Sequence, residues 1–158
     1  MITVDALTKI IISLRDDISN KKLQKLAYYV YAWHLTIYNE PIAALSFEAW
    51  EHGPVSRKIY NSYRKYGWNM IPRYRGFILA DDECIRFVES VVEYYGELSA
   101  DDLEKLTHSE TPWIKARQGC APNEASDTII SDYDMINCYS NQLNVRKIIE
   151  DKMKLLFA

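Results

Sequence analysis

The sequence predicts a mainly α fold, a single compact helical domain over residues 1–158 with a minor short β element. Three observations carry that expectation. Apolar residues recur at three- and four-residue spacing along most of the chain. Ser, Thr, Asp or Asn precedes these stretches, where a side-chain oxygen can accept from the free N–H groups of a first helical turn. One stretch, Pro41–Glu51, instead alternates weakly and has no helical cap. A chain of 158 residues is long enough to bury a core without a disulfide or metal staple.

In order, Asp5–Ile18 places Leu7, Ile10, Ile11, Leu14 and Ile18 on one helical face, with Thr3 as N-cap. Asn20 is read as the cap of a second helix to about Tyr38, with Leu23, Leu26, Ala27, Val30, Trp33 or His34, and Ile37 as its stripe. Tyr28, Tyr29 and Tyr31 widen that stripe, so the helix is expected to be buried on more than one side. Asn39-Glu40-Pro41 stops it, and Pro41–Glu51 is extended. Gly53-Pro54 is expected to open a third helix with Pro at its first position, where a missing N–H costs nothing. Val55, Ile59, Tyr63 and Tyr66 form its stripe, and Gly67 ends it.

Trp68–Leu79 is irregular, with a short strand expected near Phe77–Leu79. Asp81 caps a helix with Ile85, Val88, Val92 and Tyr95 on one face, closed by Gly96. Ser99 opens the next, with Asp101 and Asp102 in its first turn and Leu98 and Leu103 at staple positions. Thr111 is read as a cap before Pro112, with a short helix Trp113–Gln118 ending at Gly119. Cys120–Asp127 is a loop and Thr128–Ile130 a short extended segment. Ser131 caps a helix to about Tyr139. Asn144 is read as the cap of the last helix, 144–157, with Val145, Ile148, Ile149, Met153 and Leu156.

Composition narrows function by exclusion. The 12 Tyr and 4 Trp suit both cores and contact surfaces. Cys84, Cys120 and Cys138 show no paired spacing and read as reduced thiols. With no targeting segment and no apolar run of spanning length, the expected location is the cytoplasm, with no membrane partner. Residues 1–79 carry 11 basic and 6 acidic side chains, whereas residues 80–158 carry 8 basic and 16 acidic. Such asymmetry marks either a face for a charged partner or two halves that offset each other.

The search for chemistry finds little. His34, His52 and His108 are isolated and lack metal-ligand spacing. No glycine-rich phosphate cradle or nucleophile elbow is present. Cys84 lies at a helix start, but without a visible base it reads as a small core side chain. Asp81-Asp82-Glu83 suits the helix dipole. No catalytic, cofactor-binding or metal-binding residue is assigned, no cofactor is expected, and the chain is read as not an enzyme. Arg57, Lys58, Arg64, Lys65, Arg73 and Arg75 interleave with Tyr60, Tyr63, Tyr66, Trp68 and Tyr74, a pattern that can bind nucleic acid. The helical members are also the polar face opposite the Val55–Tyr66 stripe, and the chain is acidic overall, so nucleic acid is not the favoured partner.

One set of residues is more specific. It comprises Lys22-Leu23-Gln24-Lys25-Leu26-Ala27-Tyr28-Tyr29, Trp33-His34, Pro41-Ile42, Phe47-Glu48-Ala49-Trp50-Glu51-His52-Gly53-Pro54-Val55, and Tyr60 through Tyr66-Gly67. Further on stand Tyr94-Tyr95-Gly96-Glu97-Leu98-Ser99-Ala100-Asp101-Asp102-Leu103, Leu106-Thr107-His108-Ser109-Glu110-Thr111-Pro112-Trp113, and Ile130 through Tyr139. Together they resemble the Panacea domain, the SocA-like or GepA-like phage-associated family, over about residues 5–139. Ala27, Thr36 and Gly119–Asp127 depart from that pattern.

The resemblance implies an antitoxin of a toxin–antitoxin pair. Family members neutralise toxins by direct binding, and one branch acts as an adaptor that delivers its toxin to a Clp-type protease. The implied partner is a cognate toxin encoded next door. The motif residues Trp33, Trp50, Gly53, Pro54, Thr107, Pro112 and Trp113 are read as structural. Arg57, Tyr60, Arg64 and Tyr74 are the candidate partner-binding residues. Two alternatives stand beside this reading: a nucleic-acid-binding regulator using residues 57–75, and an uncharacterised enzyme in which the three histidines converge.

Overall fold

A computed structural model describes residues 1–157, and side chains as far as Leu155; the expected core position Leu156 lies outside the described residues. The helices are α1 (Val4–Leu14), α2 (Asn20–Tyr38), α3 (Arg57–Tyr63), α4 (Asp82–Tyr95), α5 (Ala100–His108), α6 (Thr111–Ala116), α7 (Asp132–Tyr139) and α8 (Leu143–Phe157). A two-stranded antiparallel hairpin, β1 (Glu48–Trp50) and β2 (Gly53–Val55), separates α2 from α3. The fold is mainly α with a minor β element, as the periodicity predicts.

Helix α2 is the centre. Helices α1, α4, α5 and α7 pack around it, together with β2 and α3. Every residue from Lys22 to Trp33 is buried. A helix apolar on every side would suit this position, but α2 carries tyrosines, two lysines and a glutamine there. Their polar tips must find partners, because a buried unpaired group costs roughly 1–3 kcal/mol.

The tyrosines find them around Glu110. Tyr29 donates to Glu110 Oε1 at 2.7 Å and Tyr139 at 3.0 Å, while Gln142 donates to Oε2 at 3.2 Å. The hydroxyls of Tyr139 and Tyr28 lie 3.0 Å apart. Tyr29 stacks on Tyr95 with centroids 4.0 Å apart, and Trp33 Nε1 donates to the Tyr95 hydroxyl at 2.8 Å. One carboxylate thus ties α2 to α7 and to the turn before α8, and the aromatic stack ties it to α4.

Most caps are as expected. Thr3, Asp81, Ser99 and Ser131 each accept from a backbone N–H of the first turn. Five expectations need correction. Helix α1 ends at Leu14 rather than Ile18, because the chain turns extended at Arg15. Ser19, not Asn20, caps α2. Glu110, extended in its backbone, occupies the cap position of α6, which makes Thr111 and Pro112 its first residues; its side chain makes no cap bond, being taken by the tyrosines. Helix α8 starts at Leu143, placing Asn144 inside it. No strand forms near Phe77–Leu79, where Phe77 and Leu79 point outward. The segment Thr128–Ile130 does run extended, bridging β1 through Ile129.

Burial raises the Glu110 carboxyl above the ordinary Glu range, against the lowering pull of its three donors. The unfolded chain therefore releases this proton at lower pH than the folded one does. Glu110 should make the protein lose stability as pH rises from the ordinary Glu range through its elevated folded value. Glu110→Gln should flatten that part of a stability–pH curve measured by urea unfolding.

Candidate functional site

The hairpin is where the sequence expectation fails most informatively. Gly53-Pro54 does not open a helix. Both residues lie in β2, and Ser56 caps α3, accepting from Ile59 N–H at 3.4 Å. In the register Ala49 faces Pro54. Antiparallel strands alternate between pairs that bond each other and pairs whose backbone groups point away. Ala49 points away: its N–H donates to Thr128 O at 2.9 Å and its carbonyl accepts from Arg117 at 2.9 Å. Pro54 has no N–H to orphan, and its carbonyl accepts from Lys25 Nζ at 3.2 Å.

Gly53 is required twice over. Its φ is +104°, a conformation unfavourable for side chains. A Cβ there would stand 2.5 Å from Lys25 Cε. The glycine therefore gives the lysine stem its room. Gln24 completes the corner by holding both backbone groups of Ser56, accepting from its N–H at 2.9 Å and donating to its carbonyl at 3.1 Å.

Two clefts flank the hairpin. One, of about 460 Å³, lies between α2 and α3 and has Trp50, Val55, Tyr60 and Trp68 among its apolar walls. Asn20, Lys21, Gln24 and Lys25 line it from one face of α2, at helical spacing. The other, of about 630 Å³, lies beyond Trp50 and is lined by Arg57 and by Ala125, Ser126 and Asp127. Trp50, His52 and Val55 form the ridge between them.

Lys25 is the unusual group. Its side chain is 1% exposed, and burial depresses the ammonium to about 7, helped by the nearby Lys21 charge and opposed by Glu104. Lys21 itself is neutralised by Asp101 at 2.7 Å and by Glu104. Burial raises Glu104, but hydrogen bonds from Lys21 and His52 outweigh it and leave the carboxyl below its ordinary range. Among the described residues, Asn20 Oδ1 and His108 Nε2 are buried without a hydrogen-bond partner.

Of the motif residues, Trp33 and Thr107 are buried in the core, and Pro54 and Pro112 are buried at their turns. Trp50 and Trp113 are half-buried. Trp113 Nε1 donates to the Trp50 carbonyl at 2.9 Å and its ring stacks on His108 at 3.7 Å. Of the candidate partner residues, Arg57 lies over the Trp50 ring at 5.5 Å and pairs with Glu48 at 2.7 Å. Tyr60 packs on the same ring at 5.2 Å, and Arg64 lines the cleft beside it. Tyr74 lies apart, under Lys9, with its hydroxyl on Phe77 O at 2.8 Å.

His52 and His108 approach one another across Glu104, with His52 Nδ1 3.3 Å from its carboxylate. His34 is elsewhere, bonded to Glu40 O and packed on Phe87, so the three histidines do not converge. Burial and Asp81 raise the Cys84 thiol, the opposite of what a nucleophile needs. No group of metal ligands occurs among the described residues, and no helix there is long and apolar enough to cross a membrane.

Sequence reasoning passed over Lys25, Arg117 and Trp68 as individuals. Lys25 lies on the side of α2 away from the Leu23, Leu26, Ala27 and Val30 stripe, where a lysine reads as solvated, so its local sequence gave no signal. Arg117 is buried and donates to three carbonyls, of Ala49, Ala121 and Glu124, which nothing in its local sequence announces. Trp68 is 89% exposed at the rim of the α2–α3 cleft.

The family model for "Antitoxin SocA-like, Panacea domain" matches residues 23–114, which run from α2 through the hairpin to Ile114 in α6 and take in part of each cleft's lining. The chain belongs to the SocA-like Panacea family. A relative, Antitoxin SocA of Caulobacter vibrioides (strain NA1000 / CB15N), is 29% identical over 123 residues. That alignment takes in 67% of this chain and 63% of the relative, so the chain spans under two thirds of the relative's length. No solved structure matches. The Panacea match includes the α2–hairpin corner, and α7 and α8 lie outside it.

Two outcomes follow for this corner. Gly53→Ala should destabilise the protein by about 2–4 kcal/mol, and by less in a Lys25→Ala background where the clash is gone, as a double-mutant cycle by urea unfolding would read. Because the folded chain gives up the Lys25 proton near 7 while the unfolded chain keeps it, this residue makes stability rise between about pH 7 and about pH 10. Lys25→Met should remove that rise.

Proposed function

We propose that this chain is an antitoxin that neutralises a protein toxin encoded beside it by direct binding, without chemistry of its own. The observation that carries this reading is membership of the SocA-like Panacea family, together with the name of the relative. The face proposed for docking runs from the Trp50 ridge, across the α2–α3 cleft, to the Trp68–Leu79 segment.

The surface favours that face. Trp68 and Phe77 are 89% and 82% exposed, and Met70 and Leu79 are exposed as well. Aromatic and sulfur-bearing side chains of this kind are what binding cores use. The segment is held while its side chains are free: Ile71 N–H donates to Ile18 O at 2.8 Å, and Arg73 donates to the carbonyls of Ser13 and Leu14. A pre-ordered apolar surface loses little entropy on binding.

The same contacts weigh against a nucleic-acid surface. Arg57 is paired with Glu48, Lys58 donates to Ala44 O, and Arg73 is held by Asp16 and two carbonyls. Much of the basic stretch is thus engaged within the protein rather than presented to phosphates.

The test is co-expression with each product of the neighbouring genes. One of them should be toxic alone and tolerated with this chain. Trp68→Ala, which leaves the core untouched, should weaken the complex about tenfold or more in a calorimetric titration, in the manner of an interface anchor. A toxin that persists as a complex indicates blocking, and one that disappears indicates delivery to a Clp-type protease. If no neighbour is toxic, or none is relieved, the proposal fails.

A further inference from the structure

The structure points to a ligand chemistry for the α2–α3 cleft. We infer that this cleft captures the free C-terminal end of a partner polypeptide, its terminal carboxylate meeting Lys25 and its last amide N–H meeting Asn20. The inference deepens the docking face proposed above and rests on it for the identity of the partner.

Three features define what would fit. The first is the charge on the cleft floor. Lys25 has three N–H donors, and one is accepted by the Pro54 carbonyl. No carboxylate of the described residues lies in ion-pair range of Lys25 or of Arg64, whereas Lys21 is already neutralised by Asp101 and Glu104. A buried lysine with spare donors and no anion of its own is stabilised in its charged form by an anion brought beside it, and one negative charge is enough.

The second feature is an acceptor. Asn20 Oδ1 is buried without a donor and lines the same cleft, on the same face of α2. The ligand must therefore bring an N–H as well as a negative charge. A simple anion without a donor, such as chloride, would satisfy Lys25 and leave Asn20 as it is. The last residue of a polypeptide carries both groups, a carboxylate and an amide N–H on one Cα.

The third feature is shape. The walls Trp50, Val55, Tyr60 and Trp68 are apolar, and about 460 Å³ is room for one or two residues. Lys25 is at the bottom, not the rim, since its side chain is 1% exposed. A chain end can enter such a cleft head-first, whereas an internal Asp or Glu would have to bring two backbone strands with it. Capture of a terminal carboxylate is one of the recurring modes of peptide recognition.

The experiment uses the full chain and four probes, titrated with amide and lysine side-chain NMR detection. N-acetyl-leucine should bind and shift the signals of Lys25, Asn20 and the Trp50 indole. N-acetyl-leucinamide, which lacks the charge, should bind at least about tenfold more weakly. N-acetyl-glutamic acid α-amide, an internal acidic side chain in miniature, should also be weaker. N-acetyl-alanyl-leucine should be tighter than N-acetyl-leucine, because a polypeptide end continues into the cleft mouth.

Equal binding of acid and amide, or no response at Lys25 to any probe, overturns the inference. Preference for the glutamate probe overturns the assignment to a chain end, and no gain from the alanyl extension overturns the assignment to a polypeptide. Lys25→Met should abolish the acid-over-amide preference. Asn20→Asp, at a first-turn position where an acid favours the helix, should fold normally and weaken the acid probes through repulsion. The inference and the antitoxin reading fail separately. Probes that bind while no neighbouring toxin is relieved leave the carboxylate site standing, and toxin relief that survives Lys25→Met without probe binding leaves the antitoxin standing.

Discussion

The arrangement depends on one constraint: α2 is buried on all sides and yet carries polar side chains that cannot be left unpaired. Each of these groups finds its partner on a different neighbour. Lys22 donates to Gly96 O at 2.6 Å and so holds the turn between α4 and α5. Gln24 holds the backbone of Ser56, the cap of α3. Lys25 reaches the Pro54 carbonyl of β2. Tyr29 meets Glu110 at the start of α6. An all-apolar α2 would pack, but it would place these connections less uniquely, because apolar contact is non-directional and hydrogen bonds are not.

The hairpin corner shows how far that logic extends. Gly53 leaves space for the Lys25 stem, Pro54 supplies a carbonyl but no N–H, and Ala49 turns its own backbone groups toward Thr128 and Arg117. Arg117 then fixes the loop that walls the second cleft. Residues that look like a family signature in sequence are therefore parts of one joint. The clefts on either side of it exist because Trp50 stands half-buried between Arg57 and Tyr60 rather than inside the core.

Charge follows the same pattern. The basic first half and acidic second half meet: Arg15 pairs with Glu97, and Lys21 with Asp101 and Glu104. These partly exposed pairs contribute modestly to stability and bring part of that asymmetry together inside the protein. In the apolar-walled α2–α3 cleft, Lys25 and Arg64 lie outside ion-pair range of the described carboxylates, with an aromatic segment beside them.

The order of helices was legible in the sequence because each one carries its own signals. A Thr, Asp or Ser cap and a 3.6-residue apolar rhythm are local facts, and Thr3, Asp81, Ser99 and Ser131 act as they read. The Panacea resemblance was likewise legible, because its residues lie at close spacing in α2 and the hairpin. Gly53-Pro54 was misread because proline suits a helix start and a non-bonded strand position equally well, and the choice between them is made by Ala49 and Lys25 from elsewhere in the chain. Glu110 stands in the cap position of α6 without capping it, because its carboxylate is claimed by Tyr29 and Tyr139 from elsewhere in the chain. The candidate site belongs wholly to this second class. Whether a lysine opposite a helix's apolar stripe is solvated or buried in a cleft depends on what α3, α5 and the hairpin place around it, and only the tertiary structure decides that.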